Sequence, residues 1–126
     1  MPVGKEIGSF NGDFTSVRIR EINGEERVIE GTYEIQVSGQ LSGIATGTIT
    51  FTGSNDTGVV ADLGVGYLDS GDVLSAKGQG VYWSGDKGAW EVRSAYLLGG
   101  QAVVSEGQVI LDGGKFSLKG KILELT

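Results

Sequence analysis

The chain has 126 residues, 39% of them hydrophobic and 23 of them glycine, with one proline. This is enough for one domain with a real core, read as spanning residues 1–126, and too apolar for a disordered segment. A net charge of −6 without a basic stripe argues against nucleic acid, and the absence of cysteine and histidine removes disulfides, thiolates and the imidazole-based nucleophile and metal sites.

In chain order, Asp13 to Ile22 alternates after a loose start, with Val17 and Ile19 on one side and Arg18 and Arg20 on the other. This predicts a half-buried strand, ended by the turn dipeptide Asn23-Gly24. From Arg27 to Gly39, Ile29, Tyr33, Ile35 and Val37 share one face against Glu30, Thr32, Glu34 and Gln36. Ala45, Gly47, Ile49 and Phe51 then alternate with a ladder of Thr46, Thr48, Thr50 and Thr52. Thr57 to Leu68 places Val59, Ala61, Leu63, Val65 and Tyr67 in one register, with Asp62, Gly64 and Gly66 opposite.

Asp69-Ser70-Gly71-Asp72 turns the chain into Val73 to Trp83. Ser84-Gly85-Asp86-Lys87-Gly88 then reads as a hairpin loop, leading to Ala89–Leu98. Both tryptophans, Trp83 and Trp90, flank this loop, and large rings in such positions usually fill a sheet core. Gly99-Gly100 is a turn, Gln101 to Leu111 a strand, and Lys115 to Leu125 the last, with Phe116, Leu118 and Ile122 near one register.

About eight strands joined by short loops, with no fixed repeat period and no capped helical window, predict an all-β meander with under about 10% helix and over half strand. Closure into a single antiparallel up-and-down barrel is preferred to a two-sheet sandwich, because closure removes exposed edges and interior glycines suit tight coiling. No 18-residue apolar run and no signal peptide at the start are visible, so no membrane is called for and a cytoplasmic location is expected.

No Walker loop, EF-hand or nucleophile elbow occurs, and Gly78-Gln79-Gly80 is a strand feature, since no helix follows it. No cofactor and no metal are expected; Asp56, Asp69 and Asp72 read as turn residues before they read as a calcium site. Chemistry must therefore rest on the polar groups inside apolar strands: Asp62, Glu91, Arg93 and Glu106. Two readings stand. All four face solvent, or a carboxylate and an arginine enter the barrel beside Tyr33, Tyr67, Trp83, Trp90 and Tyr96, which would then line a ligand site with Arg93. In the second case Glu91 is the candidate acid or base, oriented by Arg93; alternatively Arg93 holds a ligand carboxylate. Glu91 and Arg93 share a face at period two, and Trp90 is awkward to combine with Glu91 in one site.

The glycine-rich eight-strand pattern resembles the calycin-like superfamily, most of all its small bacterial barrels of unknown function and more distantly the allene oxide cyclases. Segments such as 37–48, VSGQLSGIATGT, and Gly78-Gln79-Gly80-Val81-Tyr82 carry the resemblance, which runs from Gly12 to Leu125. No catalytic position of those enzymes is matched. The resemblance implies a barrel able to hold a small apolar molecule and relatives that are often homo-oligomers. Three functions follow as expectations: binding a small lipophilic molecule in or at the mouth, cofactor-free cyclase or isomerase action in the cavity, or a filled barrel acting through an oligomeric surface.

Overall fold

A computed structural model describes residues 3–125. Eight strands, β1 (Val3–Asn23), β2 (Glu26–Gly39), β3 (Gly43–Gly53), β4 (Thr57–Leu68), β5 (Val73–Ser84), β6 (Ala89–Leu98), β7 (Gln101–Asp112) and β8 (Lys115–Leu125), take up 84% of the described residues. Each pairs antiparallel with the next, and β8 returns to β1, so the sheet closes into one barrel. Among the described residues there is no helix. The predicted fold class is therefore what the chain adopts.

β1 differs most from expectation. It begins at Val3, because its N-terminal half is the strand that closes the barrel against β8, from Val3↔Leu125 to Asp13↔Ser117. Register shifts between Val3 and Gly8, between Phe14 and Ser16 and between Ile19 and Glu21 break the period of two, which hides the strand from pattern reading. Beyond Asp13 the strand pairs only with β2, so Val17 and Ile19 are 47% and 60% exposed rather than half-buried.

The glycines are explained by the inner space of so narrow a barrel. Gly107 and Gly120 are partners across β7 and β8, and the Phe10 ring lies over both, about 3.1 and 2.6 Å from where their Cβ atoms would be. Tyr33 covers the Gly47–Gly64 pair of β3 and β4 in the same way, and Tyr82 the Gly53–Gly58 pair. Tyr96 rests on Gly78. A closed sheet of eight strands has an interior only wide enough for side chains to fill. Where a ring leans over the neighbouring strands, the positions beneath it have no room for side chains of their own.

The central layer is Phe10, Tyr33, Ile49, Val60, Tyr82, Val92, Val109 and Leu118. It divides the interior into two chambers. One opens at the end carrying the β1–β2, β3–β4, β5–β6 and β7–β8 loops, here the tryptophan end, and the other at the opposite, leucine end.

Candidate ligand chamber

At the leucine end a cavity of about 110 Å³ lies under Leu41, Leu68, Leu74 and Leu98. Its wall is formed by Ile35 and Val37 of β2, Ala45 and Ile49 of β3, Ala76 of β5 and Ile122 of β8, all apolar. Four polar side chains interrupt this surface: Asp62, which is 6% exposed, Tyr33, Tyr96 and Ser105. The Tyr33 hydroxyl donates to Asp62 Oδ1 at 2.9 Å and the Tyr96 hydroxyl to Asp62 Oδ2 at 2.5 Å.

This triad follows from three strands and their register. Tyr33 is inward on β2 among Ile29, Ile35 and Val37, and leans across the paired Gly47 and Gly64 towards β4. Tyr96 is inward on β6 and leans over Gly78 of β5, the cross-strand partner of Asp62. Asp62 thus receives one hydroxyl from each side. Burial raises its pKa above the ordinary carboxylic value of 3.8, and the two tyrosine hydrogen bonds oppose that rise. Tyr33 and Tyr96 are pushed up as well, first by burial and then by the negative charge of Asp62 beside them, so both remain neutral donors. Nearby, Ser94 is buried and its hydroxyl has no hydrogen-bond partner among the described residues.

The tryptophan-end chamber, of about 210 Å³, is an aromatic funnel. Phe51 meets Tyr82 edge-on at 5.5 Å, and Trp90 packs against Phe116 at 6.4 Å. Trp90 Nε1 donates to the carbonyl of Asn55 at 2.8 Å, and the Tyr82 hydroxyl donates to the carbonyl of Ser54 at 2.6 Å. Those bonds hold the β3–β4 loop across the funnel. Arg27 is the charged residue among the groups lining it.

Of the residues singled out from sequence, Tyr33 and Tyr96 meet at one site, the leucine-end chamber. Trp90 enters the other chamber. Tyr67 and Trp83 are on the outer surface, 49% and 43% exposed. Glu91 and Arg93 do not enter the barrel: of the two readings the sequence allows, the outward one holds for this pair, and the inward site with Glu91 as acid or base and Arg93 as ligand anchor is withdrawn. On β6 the inward positions are Trp90, Val92, Ser94 and Tyr96, so strict alternation sends Glu91 and Arg93 outside. There Glu91 accepts from Gln108 Nε2 at 3.0 Å, while Arg93 faces Glu106 at 3.5 Å, an exposed pair of small energetic weight. Of the four polar groups considered, Asp62 is the one inside.

Asp56 lies in the β3–β4 loop and Asp69 and Asp72 in the β4–β5 loop, at opposite ends of the barrel, so they do not converge on an ion. Among the described residues no group of three or more His, Cys, Asp or Glu is arranged to hold a metal.

The tryptophans separate cleanly in expected effect. Trp90→Ala opens the funnel and strips a hydrogen bond from the loop, and should cost about 3 kcal/mol, the lower end of the range for buried rings. Trp83→Ala removes an outward ring and should cost under about 1 kcal/mol. Urea unfolding of both variants measures the difference.

The chain thus forms a closed antiparallel eight-stranded barrel with a buried Asp–Tyr–Tyr cluster in an apolar chamber. No family model matches it, and no curated protein or solved structure matches it either.

Proposed function

We propose that the protein binds a small, mainly apolar molecule in the leucine-end chamber, with one polar group of that molecule directed at Asp62. The observation that carries this reading is the contrast inside the chamber. A wall of aliphatic side chains surrounds a single carboxyl group, itself fixed between two tyrosine hydroxyls. Ligand sites characteristically combine a largely apolar lining with a few fixed polar groups that set orientation. The volume of about 110 Å³ is below the roughly 150 Å³ of an engineered apolar cavity that holds benzene, so a ligand of that size would seat its polar end at Asp62 and reach towards the open leucine end. The sequence resemblance to calycin-like barrels points the same way.

Phenol is a direct probe: an aromatic body with a hydroxyl that donates to Asp62. Titration followed by heteronuclear NMR should perturb the Ala45, Ala76 and Tyr96 amides, and Ala45→Leu, which fills the chamber, should abolish the response while leaving the fold intact. Absence of any perturbation by phenol, benzene or benzyl alcohol overturns the reading.

A second reading, a cofactor-free cyclase or isomerase, is favoured by one specific feature. Asp62 has a pKa raised by burial and a short bond to Tyr96, which suits a group that lends and recovers a proton within a dry cavity. Under this reading Asp62→Asn retains binding of the bound molecule and loses its conversion.

A further inference from the structure

We infer that the outer face of β3, β4 and β5 is the interface of a symmetric dimer, formed with a second copy of this chain. The outward side chains of β3 are Ile44 and the threonines at 46, 48, 50 and 52, and those of β4 run from Thr57 to Tyr67 on odd numbers. None of them is charged. Within and beside this surface, Val59, Leu63, Val81 and Leu97 are 55%, 62%, 47% and 57% exposed. Cross-strand register stacks them: Val59 faces Val81 and Thr52, and Leu63 faces Thr48. A closed barrel has no strand edge to offer, so association through this region must be face to face.

What identifies the occupant is the charge on either side of the neutral strands. β2, on one flank, presents Glu34, exposed and outside every ion pair among the described residues. β5, on the other flank, presents Lys77, likewise exposed and unpaired there. Glu30 also lies on β2, bonded at 3.1 Å to Arg20. Consider a two-fold axis running along the strands through the seam between β3 and β4. It leaves height along the strands unchanged and exchanges the flanks, so β2 of one copy faces β5 of the other. Following the register across the sheet, Lys77 is level with Leu63, Thr48 and Thr32. Thr32 stands between Glu30 and Glu34. The lysine of each copy therefore arrives between the two glutamates of its partner, twice per dimer.

The face is convex, because the strands of a closed eight-strand barrel tilt about 35–45° and wrap around its axis. Contact is therefore centred on the level of Lys77, Leu63, Thr48 and Thr32, and it stays below the roughly 800 Å² per partner of a standard specific interface. A self-complementary patch is what an isologous two-fold contact requires.

Sedimentation velocity of the full chain between 1 and 100 μM tests this, with circular dichroism to verify that each variant is folded; the residues changed are exposed, so folding should be unaffected. The wild type should sediment as a dimer. Lys77→Glu and Glu34→Lys should each weaken association at least about tenfold, because like charges then meet twice. Mixing those two variants should restore a heterodimer, since each then supplies the charge the other lacks. Leu63→Glu should be monomeric. A wild type that is monomeric at 100 μM overturns the proposal, whether it stays free or partitions onto lipid vesicles. A dimer indifferent to both charge reversals also overturns it, placing the contact elsewhere on the barrel.

Discussion

Tyr33→Ala should be the most damaging single truncation in the barrel, because one side chain carries both packing and polar satisfaction. The ring is 5% exposed, belongs to the central layer and spans the Gly47–Gly64 pair, where built Cβ atoms would sit 2.5 and 2.7 Å from its hydroxyl. Removing a buried aromatic ring costs about 3–5 kcal/mol. Orphaning Asp62 Oδ1 adds about 1–3 kcal/mol. The total approaches the whole stability of a typical domain, about 5–15 kcal/mol. Tyr33→Phe divides the two contributions, since it keeps the ring and loses only the donor. It should cost about 1–3 kcal/mol in urea unfolding, and the cost should shrink in an Asp62→Asn background, because contacting residues are not additive. A Tyr33→Phe variant as stable as the wild type would mean that Asp62 does not depend on this bond.

Much of the barrel was legible because its inward residues are large where the strand pattern is clean. Ile35 and Val37 on β2, and Ile49 and Phe51 on β3, alternate with glutamate, glutamine and threonine, and they face in as that pattern demands. β4 reads the wrong way round. Its outward side bears Val59, Leu63 and Tyr67, and its inward side Val60, Asp62, Gly64 and Gly66, so the more apolar register is the exposed one. The inner volume there is filled by rings from β2 and β6, which local periodicity cannot see. A usable signal was present. In a narrow barrel, glycines within strands mark the face against which rings lie, and Asp62 shares its face with Gly64 and Gly66. Likewise Trp90, Val92 and Tyr96 fall on one side of β6, so placing those rings inside already sends Glu91 and Arg93 out.

The stability difference between the wild type and Asp62→Asn should change with pH, falling as pH rises from about 4. Asp62 is buried against apolar walls and its folded pKa is raised above 3.8, its ordinary value in an unfolded chain. Below 3.8 both states hold the proton, and the contribution of the neutral, hydrogen-bonded acid is fully present. Above 3.8 the unfolded chain releases its proton while the folded protein keeps it. Unfolding then becomes more favourable by up to about 1.4 kcal/mol per pH unit, until the pH passes the folded pKa and the loss is complete. Asparagine has no proton to lose, so the variant lacks this slope and carries only the constant effect of one exchanged oxygen. Tyr33 and Tyr96, the groups that face Asp62, have pKa values raised above 10 and contribute no slope in this range. Urea unfolding of both proteins at pH 4, 5, 6 and 7 gives the difference directly. A difference that grows with pH would show that the two tyrosine donors outweigh burial and hold Asp62 as a carboxylate below its ordinary pKa. In that case the chamber presents a fixed negative charge, and a cationic head group would displace phenol as its preferred occupant.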